Sequence, residues 1–112
     1  MAHPLRSPVE SVVAMLVEGE YDKIEKLTGG IRLSADDIDL AIKQYGRNLI
    51  IPPRESYDAI DAILVLDTTP PQWSVRFTLW TREEGTSDLT LELTLIQADK
   101  GCRIELDDIH VL

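Results

Sequence analysis

The run Trp73-Ser74-Val75-Arg76-Phe77-Thr78-Leu79-Trp80-Thr81 alternates apolar and polar residues without a break, and Asp88-Leu89-Thr90-Leu91-Glu92-Leu93-Thr94-Leu95 repeats the pattern. Successive side chains on a strand point to opposite faces, so a period of two marks strands with one face in a core and the other facing water. The residues between them, Arg82-Glu83-Glu84-Gly85-Thr86-Ser87, are polar and include a glycine, which predicts an antiparallel hairpin with a polar loop.

Register follows from the same residues, because a slip of one position would turn every core side chain out to water. Leu79, Phe77, Val75 and Trp73 then fall opposite Leu89, Leu91, Leu93 and Leu95. A third strand, Cys102 to Leu112, sets Ile104 and Leu106 against Leu95 and Leu93. Its apolar phase then jumps to Ile109 and Val111, which predicts a β-bulge at Asp107-Asp108. A further strand, about Ile60 to Leu66, comes earlier in the chain. It is mostly apolar on both faces, so its register comes from its neighbour: Leu66, Leu64, Ala62 and Ile60 meet Trp73, Val75, Phe77 and Leu79.

Upstream the period is helical. Ser7-Pro8-Val9-Glu10 has the form of a capping box, and Val9, Val12, Val13, Leu16 and Val17 make one stripe that Gly19 stops. A short second helix points Tyr21, Ile24 and Leu27 inward before Thr28-Gly29-Gly30 breaks it. Ser34 starts a third helix, with Asp36 and Asp37 where the helix dipole favours negative charge, Ile38, Ala41, Ile42 and Tyr45 facing the core, and Gly46 at its end. Residues 47–58, with Pro52-Pro53, read as a connector. The fold class is therefore α+β. One domain spans 1–112, with a helical layer and connector over 1–58 packed on one face of a four-stranded antiparallel meander over 59–112.

Composition fits a folded domain, with 44% apolar and 28% charged residues. The single cysteine, Cys102, excludes an intrachain disulfide, and no apolar run reaches the length of a membrane span or of a signal peptide's core, so a cytoplasmic, membrane-free protein is expected. Net charge is -9, with 7 basic and 10 acidic residues in 1–58 against 4 and 10 in 59–112. An acidic surface without a basic stripe repels phosphate backbones, which argues against direct nucleic-acid binding and suits a basic protein partner.

The derived register gathers Trp80, Asp88 and His110 at one end of the outward sheet face. Thr78 and Thr90 lie beside His110, Arg76 and Glu92 lie further along, and Glu83 and Glu84 are in the adjoining loop. An outward tryptophan is a contact anchor, and outward Ile63 and Val65 add to the apolar surface; cover by the proline-rich connector or by the N-terminal residues is the structural alternative. These five residues, Trp80, Glu83, Glu84, Asp88 and His110, are the candidate partner-binding site. A metal site at Asp107, Asp108 and His110 is not expected, because strand neighbours point apart and His3 lies on the N-terminal tail. Cys102 faces inward as a small hydrophobe, Gly29-Gly30 is a helix stop with no phosphate-loop lysine, and the inward face offers no titratable pair. No catalytic residue and no cofactor are expected.

The stretch from Trp73 through Leu91, the ending Asp107-Asp108-Ile109-His110-Val111-Leu112 and the connector Tyr45-Gly46-Arg47 with its paired prolines resemble a family of small uncharacterised bacterial proteins. The resemblance carries no activity. The order of helices and then a long meander is similar to the cystatin-like group that includes nuclear transport factor and SnoaL-type domains, whose enzymes place acids and histidines between helix and sheet, where this chain is apolar. In character the chain also resembles immunity proteins of bacterial toxin systems. Three functions follow as expectations: an immunity protein that neutralises a basic toxin domain, a small-ligand binder or enzyme with a pocket between helices and sheet, and a homo-oligomeric accessory module, with a homodimer as its simplest form.

Overall fold

The computed structural model describes residues 5–112; His3 lies outside them. Helix α1 (Arg6–Glu18) buries Val9, Val12, Val13 and Leu16, the stripe that their spacing predicts. It begins before the expected cap: Leu5 is the N-cap, and Ser7 caps nothing with its side chain. Arg6 pairs with Glu10 one turn on and sits 5.0 Å over the Tyr57 ring, which orders the turn ahead of Ser7. Pro8 is tolerated there because first-turn N–H groups have no intrahelical acceptor.

Helix α2 (Tyr21–Thr28) buries Ile24, but Leu27 is exposed, since its inner face is only wide enough for one large side chain and Thr28. Helix α3 (Ala35–Tyr45) starts as expected at Ser34, whose hydroxyl accepts from the Asp37 N–H while the Asp37 carboxylate accepts from the Ser34 N–H. Of its core positions only Ile38 is fully buried; Ala41, Ile42 and Tyr45 pack partly covered against the core.

The sheet has five antiparallel strands, not four: β1 (Leu49–Ile50), β2 (Asp61–Leu64), β3 (Gln72–Thr81), β4 (Gly85–Ala98) and β5 (Gly101–Val111). Strands β2 to β5 form the meander, and β1 is added from within the connector. Both β1 and β2 pair with the same side of β3, β1 at Trp80–Thr81 and β2 at Trp73–Arg76. A 3₁₀ helix, Arg54–Ala59, lies between them in sequence, so one edge of β3 is covered by strand, helix and strand in turn. Its Tyr57 is buried and stacks on Phe77, with centroids 5.0 Å apart and planes 1° from parallel.

The core face is as the alternation requires. Val75, Phe77, Leu79, Leu89, Leu91, Leu93, Leu95, Ile104 and Leu106 are buried together with the apolar faces of α1 to α3. Trp73 is only partly buried, because the helical layer does not extend over that end of the sheet, where Leu64 and Leu66 are also exposed. The bulge in β5 falls where expected: Glu92 pairs with Asp108 and Leu93 with Leu106, which leaves Asp107 as the extra residue. Beyond it Ile109 is buried, but Val111, at the end of the strand, is exposed.

Two pairings differ from expectation. Strand β2 keeps its faces but is slipped by two residues along β3, with Leu64 opposite Trp73 and Ala62 opposite Val75. A slip of two keeps every side chain on its own face, so burial does not penalise it, and Tyr57 occupies the place beside Phe77 that a longer β2 would need. On the other side of β3, the register breaks after Thr78↔Thr90 and resumes at Trp80↔Thr86, so Leu79 does not pair with Leu89, nor Trp80 with Asp88. The extra residues on β4 are held by Ser87, whose buried hydroxyl donates to the Leu79 carbonyl at 2.7 Å and accepts from the Leu89 N–H at 3.0 Å.

Candidate functional site

The β3–β4 hairpin is tighter than the sequence suggests. Only Arg82, Glu83 and Glu84 form the loop, and Gly85 begins β4 at φ 73°, a left-handed conformation that a three-residue hairpin needs at its end. Gly85 also lies beneath the Trp80 ring, where an added Cβ would be 3.8 Å from the indole. Thr86, Ser87 and Asp88 belong to the strand.

Both loop glutamates are engaged within the fold. The Glu83 carboxylate accepts from the Asn48 backbone N–H at 2.9 Å and from Asn48 Nδ2 at 2.7 Å, while the Arg82 N–H donates to the Asn48 carbonyl at 2.8 Å. The Glu84 carboxylate accepts from the Tyr45 hydroxyl at 2.8 Å and from the Thr81 hydroxyl at 3.0 Å. Tyr45 in turn accepts from the Asp88 N–H at 3.2 Å. The hairpin is thus clamped to the end of α3 and the start of β1. Helical spacing marks Tyr45 as a core position but not as a partner of the hairpin, and nothing local marks Asn48, because their partners are far away in the chain: Tyr45 and Glu84 are 39 residues apart, Asn48 and Glu83 are 35.

Hydrogen bonds from Asn48 hold the Glu83 carboxyl below its ordinary value. A lowered native pKa means that the clamp stabilises the fold at neutral pH and that this contribution is lost as the pH falls through that native value. Asn48→Ala should therefore lower the melting temperature at pH 7, and the gap to wild type should close in acid. A gap that stays constant down to the acid transition would contradict this role.

Trp80 is half-buried and pairs with Ile50 of β1. Beside it is a shallow cavity of about 220 Å³ lined by Ser56, Ala59, Phe77, Thr78, Trp80 and Thr86. The connector covers part of the indole and leaves a notch next to the rest. Exposed Glu55 and Asp58 lie on the same 3₁₀ helix that supplies Ser56 and Ala59, and the Asp88 side chain is exposed on β4.

His110 is one row away on the outer face, opposite Thr90, which is opposite Thr78. The next row crosses four strands as Asp61, Arg76, Glu92 and Asp108. Glu92 Oε1 lies 3.3 Å from Arg76 Nε and 3.0 Å from His110 Nε2, while His110 Nδ1 is 3.7 Å from Asp108 Oδ2. The His110 Nε2 contact is close enough for an ion pair with the protonated ring but is not aligned as a hydrogen bond. Asp107 turns elsewhere, accepting from the Thr94 hydroxyl at 2.7 Å and pairing with Arg32 at 3.3 Å. The structure therefore brings Trp80 and the loop to one end of the sheet and His110 to the Glu92 network, without placing all five candidates in mutual contact.

A second open cavity, about 270 Å³, lies between α3 and the end of the sheet, lined by Ala41, Gln44, Tyr45, Leu89, Ile109, His110 and Val111. Cys102 is partly exposed near the β4–β5 turn. Among the described residues, no helix is long and apolar enough to cross a membrane.

No curated protein and no solved structure matches this chain. A family model described as a domain of unknown function (DUF7668) matches residues 13–112, from the middle of α1 to the C-terminal residue, and the chain belongs to that family.

Proposed function

We propose that this domain, cystatin-like in layout, is a non-catalytic protein-binding module that uses the Trp80 end of its sheet. The observation that carries the reading is the half-exposed indole beside an unfilled notch on a rigid, doubly clamped hairpin. Such a notch is the size for one partner side chain, and aromatic anchors in preformed pockets dominate the energy of many interfaces. Exposed Glu55 and Asp58 on the adjoining 3₁₀ helix and exposed Asp88 on β4 are interspersed with exposed Arg54 and Arg82, and the net charge of -9 is what steers a basic partner. The finer reading is that of an immunity protein that neutralises a basic toxin domain in the cytoplasm. The inner face is built from Val75, Phe77, Leu79, Leu89, Leu91, Leu93 and Leu95, apolar side chains that suit a packed core under a binding surface.

Glu83 and Glu84 act in this reading by holding the hairpin in shape, and Asp88 supplies rim charge. The test is binding to the product of the gene directly upstream, where a toxin gene is expected, measured as association rate against salt concentration. Asp88→Lys should slow association and flatten its salt dependence while the fold is retained, since only its backbone N–H is used internally. Rates equal to wild type at every salt concentration would remove the rim from the site.

A further inference from the structure

The other end of β3 presents a different surface. There β2 is an edge strand, and Ile63, Leu64 and Leu66 are 63%, 53% and 81% exposed. An apolar strand edge invites pairing, and proteins usually protect one with a charge, a proline or a bulge. Strand β2 carries one exposed charge at its start, Asp61, and the five residues that follow, Ala62 to Leu66, contain no charge and no proline. We propose that this edge is where a second copy of the same chain pairs, antiparallel, so that one sheet runs through both copies.

The hydrogen-bond phase supports a two-fold arrangement. The Val65 N–H donates to the Gln72 carbonyl at 2.9 Å, so odd-numbered residues of β2 turn their backbone groups to β3. Ala62 and Leu64 turn theirs to the open edge. A two-fold axis at Ile63 sets Ala62 opposite the partner's Leu64 and Leu64 opposite the partner's Ala62, and each pair exchanges both of its backbone hydrogen bonds. The pairs from Ala62 to Leu64 are then apolar on both sides, and Asp61 falls opposite the partner's Val65 rather than opposite a carboxylate. An axis at Leu64 would instead set Asp61 against the partner's Asp67, a like-charge pair.

Charge selects the second copy over a basic partner at this edge. The chain carries -9 overall, yet Ala62 to Leu66 is uncharged, so two copies meet here without apposed carboxylates. A basic partner would find carboxylates only at the two ends of the strip, Asp61 and Asp67. The contact is at the opposite end of β3 from Trp80 and leaves that end open.

Sedimentation of the full chain should give twice the 12.6 kDa chain mass, and Leu64→Lys should return it to the single-chain mass with an unchanged circular dichroism spectrum. In a Cys102→Ser background, Ile63→Cys should oxidise to a covalent dimer, because opposed residues of a non-hydrogen-bonded pair have Cα atoms about 4.5 Å apart. Asp61→Cys should not. A wild type that stays at single-chain mass, a dimer that survives Leu64→Lys, or equal cross-linking at both positions would overturn the proposal. So would a monomer whose β2 amides become protected only by a different protein. None of these results bears on binding at Trp80, which is read separately with the upstream gene product.

Discussion

Phe77→Ala should lower the unfolding free energy by about 3–5 kcal/mol, the range for emptying a large aromatic site in a packed core. Phe77 is 3% exposed and does two jobs. It fills the core face of β3 between Val75 and Leu79, and it provides the surface on which Tyr57 stacks. Losing the ring leaves a cavity and also releases the side chain that pins the 3₁₀ helix to the edge of β3. The neighbouring Arg76→Ala, one residue along but on the outer face, should cost less than about 1 kcal/mol, because the Arg76 side chain is 56% exposed in its ion pair with Glu92. Urea unfolding of both variants checks the assignment of faces. Similar losses for the two would contradict it.

Trp80→Ala should leave stability nearly unchanged by comparison and weaken partner binding by about 2 kcal/mol, roughly 30-fold. The indole is half-buried by the connector, so truncation removes some intramolecular packing, but the larger loss is the wall of the notch at its side. Charge around the site acts on encounter, whereas the aromatic wall acts after contact, so the loss should appear in the dissociation rate. Phe77 lines the same notch from below. A variant there that still folds should also dissociate faster.

Much of this architecture was legible in the sequence because the leucines of β4 alternate strictly. Once Leu91, Leu93 and Leu95 are assigned inward, Phe77, Val75 and Trp73 have one consistent register, and the phase jump before Ile109 marks the bulge at Asp107. What escaped has identifiable causes. Strand β1 has two residues, too few to show a period. Strand β2 is apolar at consecutive positions, so pattern matching fixes its face only weakly and its register not at all. The break at Ser87 depends on one hydroxyl replacing ladder partners, and the polar run Thr86-Ser87-Asp88 has no alternation from which a strand with a register break could be told from a loop.

The candidate site was legible in part. Trp80 stood out as an aromatic of outward phase, and the connector's partial cover of it was the alternative reading; the structure has both cover and a remaining notch. Glu83 and Glu84 stood out as loop charge, but their bonds to Asn48 and Tyr45 join segments that no local pattern connects. His110 reads as part of the same end, and in the structure its nearest carboxylate is Glu92, drawn one row along the sheet.

The measurement that bears most directly on the central claim is an equilibrium titration of wild type and Trp80→Ala against the upstream gene product. Saturable binding by wild type that weakens roughly 30-fold in Trp80→Ala is the predicted result. No binding by wild type, or equal affinity in the two proteins, would contradict it.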